Sequence, residues 1–138
     1  MALPASLRRH QALAAEFLRF GLVGAVGYVV DTAVVYALRG AIGPGPAGMP
    51  SFVLAATVTW ALNRAWTWRG RSGEGSKLAQ WARFLAVNSP GLVLNRSVYE
   101  ALVFLVPLCA AYPFLATAAG TGAGMFVNFG LSRRLVFR

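Results

Sequence analysis

The sequence predicts an all-α integral membrane protein in which four transmembrane helices form two parallel two-helix repeats. Hydrophobic residues make up 57% of the 138 residues and charged residues only 12%, whereas soluble domains carry about 25% charged residues. The apolar residues fall into four long runs, and the basic residues cluster between these runs. The net charge of +9 therefore indicates a chain that faces anionic lipid, and it argues against nucleic acid as a partner.

The four predicted spans are runs of about 20 mostly apolar residues, the length that a helix needs to cross a bilayer. They cover residues 17–38, 51–68, 81–106 and 114–136. The sequence GAIGPGPAGMP after the first span predicts a tight external loop, because glycine and proline do not continue a helix. Pro50 fits the start of the second span. The polar stretch RGRSGEGSK separates the two halves, and PLCAAYP links the last two spans.

Two features inside the predicted spans bear on packing. Asn88, Ser89, Pro90 and Gly91 interrupt the third span and predict a polar cavity there, since broken backbone at membrane depth needs protein or water to satisfy it. In the fourth span, the Gly120-x-x-x-Gly124 spacing predicts a face where two helices pack closely.

The distribution of arginine and lysine predicts the orientation. The basic residues lie at the N-terminus (Arg8, Arg9, Arg19), around the central loop (Arg64, Arg69, Arg71, Lys77, Arg83) and at the C-terminus (Arg133, Arg134, Arg138). Only Arg39 falls near an external loop. The positive-inside rule therefore places both termini and the central loop in the cytoplasm. Trp66, Trp68 and Trp81 lie beside the basic clusters, where an aromatic belt is expected.

The two halves of the chain resemble each other, with repeat one at about residues 17–69 and repeat two at about 81–138 of a single domain, 1–138. The shared pairs are Arg19-Phe20 and Arg83-Phe84, Gly27 and Gly91, Asp31 and Asn95, and Asn63-Arg64 and Ser132-Arg133. Each half starts and ends on the same side. The repeats are therefore expected to be parallel, related by an axis along the membrane normal.

Four segments resemble the GtrA family. They are RFGLVGAVGYVVDTAVVYAL, ALNRAWTWR, RFLAVN and VNFGLSRRLVFR, and together they extend the resemblance over residues 19–138. The resemblance implies a small multi-pass protein of the bacterial cytoplasmic (inner) membrane that acts in cell-surface polysaccharide synthesis. It implies movement of polyprenyl-phosphate-linked sugars across the bilayer, and a membrane glycosyltransferase as partner.

Ionisable groups at membrane depth are expensive and point to function. Asp31 and its repeat mate Asn95 are expected at similar depth, beside Arg96. We predict an Asp31–Arg96 pair in which the arginine binds the lipid phosphate as a fork and Asn95 is a neutral donor. Alternatively, the pair only fixes the helix register. Glu100 lies one turn from Arg96 and either competes for it or is a solvated residue near the outer surface.

A second candidate site lies at the cytoplasmic ends of spans two and four. Arg64 and Arg133 are repeat mates, and with Asn63, Asn128 and Ser132 they are predicted to bind the lipid phosphate before it crosses. The alternative is that the arginines only reach for headgroups as anchors. Anchoring is the favoured interpretation for Arg69, Arg71, Arg134 and Arg138.

Composition also limits the chemistry. With one cysteine, Cys109, and one histidine, His10, the sequence predicts no metal site, no cofactor and no enzymatic activity of its own. The favoured function is a flippase for a polyprenyl-phosphate-linked sugar or for the polyprenyl-phosphate carrier. The alternatives are a non-transporting anchor or partner subunit of a glycosyltransferase, and a proton-coupled multidrug exporter. A homodimer is expected, because four short helices enclose little space.

Overall fold

The computed structural model describes residues 4–71, 73 and 75–138, with Pro44, Gly45 and Pro113 described by their backbone alone. Ser72 and Glu74 of the predicted central loop lie outside the described residues. The regular structure of the described part is entirely helical. Its elements are α1 (Ala5–Ile42), α2 (Pro44–Leu62), π1 (a π-helix, Asn63–Thr67), α3 (Lys77–Leu105), α4 (Pro107–Ala111), α5 (Pro113–Leu131) and π2 (a π-helix, Ser132–Val136).

These helices form two compact units, Met1–Ser72 and Gly73–Arg138, which we call hairpin one and hairpin two. In hairpin one, α1 packs against α2 and π1; in hairpin two, α3 packs against α5 and π2. Gly27 near the middle of α1 meets Thr59 of α2, while Glu16 near its start bonds to Trp68 and Arg71. The two helices of hairpin one therefore run antiparallel.

Two of the helices are long and apolar enough to cross a membrane, Ala5–Ile42 and the segment Phe114–Val136 of α5 and π2. Only 11% and 22% of their most apolar stretches are buried inside the protein, whereas the core helix of a soluble protein would be mostly buried. The second helix agrees with the predicted fourth span. At 38 residues, α1 is about 57 Å long and continues well beyond the predicted first span. Of the second and third predicted spans, residues 51–67 and 81–105 are helical. That these helices cross a membrane stays a prediction.

The loop predicted after the first span is much shorter in the structure. Helix α1 continues to Ile42 and α2 already begins at Pro44, so Gly43 alone joins them. Its φ of 85° is open to glycine at little cost, and its N–H donates to the carbonyl of Arg39 at 3.0 Å. Prolines in the first turn of a helix lack only an N–H that has no intrahelical acceptor, so α2 can start at Pro44. Pro50, predicted to start the second span, lies inside α2 instead.

The predicted interruption of the third span is also wrong. Helix α3 runs unbroken from Lys77 to Leu105 with Pro90 inside it. Proline removes one backbone donor from a helix, here the N–H that would bond to the carbonyl of Ala86, and two neighbouring side chains bond to other carbonyls of the preceding turn. Asn88 Nδ2 donates to Phe84 O at 2.7 Å, and Ser89 Oγ donates to Leu85 O at 3.0 Å. Where a polar cavity was predicted, the side chain of Asn128 packs directly on Gly91.

The predicted close-packing face in α5 is confirmed. A Cβ atom added to Gly120 would lie 2.5 Å from the carbonyl oxygen of Asn95, and one added to Gly124 would lie 2.7 Å from the carbonyl oxygen of Gly91. Both distances are shorter than any real Cβ contact. Glycine at these two positions therefore lets the backbone of α5 lie directly against that of α3.

Candidate functional site

Arg96 lies on an exposed face of α3 and has a partner on its own helix. Its Nη2 lies 2.9 Å from Oε1 of Glu100, one turn later, with the two side chains 73% and 51% exposed. Its guanidinium also lies 5.4 Å from the centre of the Tyr99 ring. The predicted competition by Glu100 for Arg96 is therefore observed, although the glutamate is also half exposed.

Asp31 lies in the middle of α1, partly exposed. Within hairpin one, no described residue forms a hydrogen bond or an ion pair with its carboxylate. The predicted Asp31–Arg96 pair joins two different units of the chain and stays a prediction.

The two predicted asparagines of hairpin two lie in its helix interface. Asn95 packs against Gly120 and Gly124, and the side-chain amide of Asn128 packs on Gly91. The Oδ1 atom of Asn128 and the Oγ atom of Ser132 are buried without a hydrogen-bond partner. Buried polar atoms of this kind are uncommon and are costly to leave unsatisfied. Asn128 and Ser132 therefore place an amide oxygen and a hydroxyl, both without a hydrogen-bond partner, on one face of α5 and π2.

The remaining predicted residues lie in the two π-helices. Asn63 begins π1 and is buried, with its Oδ1 accepting a hydrogen bond from Thr67 Oγ1 at 2.7 Å. Arg64 follows it and is half-buried, as is Arg133 at the second position of π2. Single-turn π-helices occur often at functional sites. The structure thus places Arg64 beside buried Asn63, and Arg133 beside buried Ser132. The side chain of Asn63 is bonded within π1.

Matching positions of the two hairpins carry matching contacts. Gly27 meets Thr59 in hairpin one, and Gly91 meets Asn128 at the corresponding place in hairpin two. The ring centres of Phe20 and Trp68 lie 5.5 Å apart, and those of Phe84 and Phe137 lie 6.0 Å apart. In each hairpin, therefore, an aromatic pair packs at the end that carries the basic residues, and a glycine lets the two helices approach each other near the middle.

Groups that bind metals are not gathered anywhere in the described part of the chain. No set of three histidine, cysteine, aspartate or glutamate residues there lies close enough to hold an ion. The candidate polar groups described so far are the exposed Arg96–Glu100 pair, the carboxylate of Asp31 and the arginines of the two π-helices.

Comparison with known families decides the assignment. The sequence model of the GtrA/DPMS transmembrane domain matches residues 19–137. The chain belongs to the GtrA/DPMS transmembrane domain family. The resemblance drawn from four sequence segments is thereby confirmed. No curated protein matches the chain. Family membership and the two apolar helices together make this a membrane protein with transmembrane helices.

One polar cluster of this GtrA/DPMS domain was not predicted from the sequence. Glu16 of α1 accepts hydrogen bonds from Trp68 Nε1 at 3.2 Å and from Arg71 Nη2 at 2.9 Å. The carboxylate side chain is only 15% exposed, and that of Arg71 is 38% exposed. Arg71, interpreted from the sequence as a headgroup anchor, thus also has a largely buried partner on α1.

A signal for this cluster was present in the repeat. Gln80 occupies in hairpin two the place that Glu16 occupies in hairpin one, four residues before the matched phenylalanines Phe84 and Phe20. Gln80 is fully buried, and its Nε2 donates to Val136 O at 3.4 Å. In both hairpins, then, the side chain at this place ties the first helix to the segment that ends the hairpin.

We expect Glu16→Gln to lower the stability of the GtrA/DPMS domain by about 1 kcal/mol, because a hydrogen bond to a charged group is worth roughly twice one to a neutral group. The temperature at which half of the detergent-solubilised protein stays monodisperse measures the effect. Glu100→Gln is the matched control, since an exposed pair of i,i+4 spacing contributes about 0.3–0.5 kcal/mol. In a cycle with Arg71→Gln, additive effects of the two changes would show that the ion pair contributes nothing.

Proposed function

We propose that this GtrA/DPMS domain translocates a polyprenyl-phosphate-linked sugar, or the polyprenyl-phosphate carrier, across the bacterial cytoplasmic membrane for cell-surface polysaccharide synthesis. Family membership indicates a membrane function related to polyprenyl-phosphate sugars. The observation that supports transport is the Arg96–Glu100 pair, exposed on a face of α3. Exposed charges on a membrane helix are expensive unless they line a path for polar groups.

In this proposal four helices cross the membrane as two parallel repeats, with both termini and the central loop in the cytoplasm. The contacts that recur at matching positions of the two hairpins support a repeat. The arginines support the orientation, since Arg64 and Arg133 lie in the π-helices that end the hairpins and Arg19 stacks on Trp66 at 5.9 Å. Arginine and tryptophan together are typical of the cytoplasmic interface.

Arg96 binds the phosphate during crossing. A planar guanidinium donates two parallel hydrogen bonds to a phosphate, and an exposed carboxylate partner is readily replaced by a more highly charged anion. Glu100 thus holds Arg96 while the site is empty. Asp31 and Asn95 are polar neighbours along the path, and Arg64, Asn63, Arg133 and Asn128 receive the headgroup on the cytoplasmic side.

A second function is a non-transporting partner subunit that anchors a membrane glycosyltransferase. The close packing of α3 on α5 favours it, since Asn95 and Asn128 fill the interface beside Gly120 and Gly91. A tightly packed hairpin suits an anchor better than a moving carrier. The basic surface at the ends of the hairpins would serve either function.

Reconstitution separates the two functions. We expect vesicles that contain the purified chain alone, as a homodimer, to expose a fluorescent polyprenyl-phosphate hexose to an impermeant quencher faster than protein-free vesicles do. Vesicles with an unrelated four-helix protein control for leakage, which is read with a trapped dye. If the chain moves no lipid alone but co-purifies with a glycosyltransferase and raises its activity, the anchor function replaces the proposal.

A further inference from the structure

Hairpin one presents an arginine and a tryptophan side by side at the end where its basic residues lie. The guanidinium carbon of Arg19, on α1, lies 5.9 Å from the centre of the Trp66 ring, in π1. A cation within about 6 Å of an aromatic ring is attracted to its face. Arg19 is exposed and Trp66 is 47% exposed, so both a positive charge and an aromatic surface are open to a ligand here.

The backbone that carries Trp66 is fixed on both sides. Asn63 and Thr67 of π1 are buried, and their side chains are hydrogen-bonded to each other at 2.7 Å. Trp68 is 2% exposed, and its indole N–H donates to Glu16 of α1 at 3.2 Å. Trp66 lies largely outside this packing. The hairpin therefore buries Trp68 and holds Trp66 in a defined position at its surface, and a preorganised group of this kind binds a ligand at a lower entropic cost.

The two hairpins differ at this place. The repeat matches Arg19 with Arg83 and Trp66 with Leu135. Arg83 Nε donates to the carbonyl of Ala79 on its own helix at 3.3 Å, and Leu135 is 43% exposed. A tryptophan that only anchors the chain at the membrane interface is useful in either hairpin, whereas one headgroup needs only one aromatic surface. The exposed tryptophan in hairpin one, at a position where its counterpart is leucine, therefore points to a ligand.

We infer that Arg19 binds the phosphate of the lipid headgroup and Trp66 its sugar, so that Trp66 favours the sugar-linked lipid over the bare carrier phosphate. This rests on the proposed function and distinguishes between its two substrates. The C–H face of a hexose packs on the flat apolar ring of a tryptophan, and a guanidinium donates two parallel hydrogen bonds to a phosphate. The bare carrier offers only its phosphate, so it gains nothing from the indole ring.

Equilibrium binding to the purified full chain, in a detergent whose headgroup is not a sugar, tests the role of Trp66. The probes are geranyl-phosphate hexose and geranyl phosphate, short-chain forms of the two proposed substrates, and each is titrated against a fluorescent prenyl-phosphate hexose. We expect Trp66→Leu, which gives hairpin one the residue of hairpin two, to weaken binding of the hexose probe about fivefold and to leave that of geranyl phosphate unchanged. Trp66→Phe keeps an aromatic ring and should retain most of the affinity.

Two further variants complete this measurement. We expect Arg19→Gln to weaken binding of both probes alike, about tenfold, because both carry the phosphate. Tyr28→Leu is the matched control for loss of an exposed aromatic ring, since Tyr28 is 72% exposed and no described arginine lies over its ring. Both affinities should stay at the parent value in this control. An equal effect of Trp66→Leu on the two probes would overturn the role of Trp66, and unchanged affinities in Arg19→Gln would overturn that of Arg19.

Photolabelling of the unaltered chain locates the site without relying on any variant to fold. Geranyl-phosphate hexose with a diazirine on the hexose should label residues 63–69, and labelling confined to other segments would overturn the assignment. Excess phosphatidylglycerol should not displace the probe; displacement would show instead that Trp66 and Arg19 only anchor the chain at the lipid interface. Neither measurement needs transport, so a chain that binds the sugar through Trp66 but moves no lipid would contradict only the proposed function.

Discussion

Gly124→Ala is expected to destabilise hairpin two by about 1–3 kcal/mol, the usual cost of forcing one extra carbon into a packed interface. The added Cβ would lie 2.7 Å from the carbonyl oxygen of Gly91 and 3.2 Å from Cβ of Asn95. The first of these atoms belongs to the backbone, so no side-chain rotation relieves the clash. Helices α3 and α5 would have to separate, which would also disturb Asn128 beside Gly91.

Gly122→Ala on the same helix is the matched control. An added Cβ there would meet nothing within 4 Å, and alanine is the better helix former. The measurement is the temperature at which half of the solubilised protein stays monodisperse. We expect Gly124→Ala to lower this temperature and Gly122→Ala to leave it unchanged or raise it. Equal behaviour of the two variants would show that the close approach of α5 to α3 does not hold the hairpin together.

The helices and their membrane character were predictable because both follow from local composition. A run of apolar residues of sufficient length has few alternatives to a helix in lipid, and the bounds of 114–136 were therefore predicted well. The glycine pair of α5 was predictable for a related reason, since small residues four apart mark a contact face whatever the partner helix is.

The errors arose where packing or backbone conformation overrides a local rule. Pro90 normally ends or kinks a helix, but α3 continues through it to Leu105 and packs along α5. In the same way, nothing in GAIGPGPAGMP indicates which glycine adopts a positive φ. Gly43 does so, Pro44 and Pro46 fall in the first turn of α2, and Pro50 lies inside that helix.

The partner of Arg96 could not be chosen from the sequence. Asp31 was suggested by the repeat and Glu100 by the spacing of four residues along a helix, and both are carboxylates. A partner on the same helix needs no second element to form, and that pair is the one observed. The Glu16 cluster was missed because its members are 52 and 55 residues apart in the chain.

Arg96→Gln is expected to reduce movement of the lipid-linked sugar at least about tenfold. A hydrogen bond to a charged group is worth about 1.5–3 kcal/mol, and 1.4 kcal/mol corresponds to a factor of ten. Stability should change little, because the pair that is lost has i,i+4 spacing and both side chains are more than half exposed. Pairs of this kind contribute about 0.2–0.5 kcal/mol to an isolated helix. The initial rate of exposure of a fluorescent polyprenyl-phosphate hexose in reconstituted vesicles measures the effect.

Two further variants at this pair separate a transport role from a structural one. Arg96→Lys keeps the charge but loses the planar fork, so we expect an intermediate rate. Glu100→Gln removes the carboxylate that competes with phosphate and leaves Arg96 in place. If Arg96 grips the phosphate, the lipid concentration that gives half the maximal rate should fall in Glu100→Gln. A purely structural pair predicts instead that Glu100→Gln and Arg96→Gln behave alike.

The double variant Asp31→Asn with Arg96→Gln tests the long-range pair that the repeat predicted. If Asp31 pairs with Arg96, removing arginine alone leaves a charge at membrane depth without its partner, which costs about 3–5 kcal/mol where the pair is buried. The double change removes both charges and should restore the yield and stability that Arg96→Gln loses. If Arg96→Gln is already as stable as the parent, Glu100 alone holds the arginine. If the folded Arg96→Gln variant then moves the lipid as fast as the parent, Arg96 does not bind the phosphate during crossing.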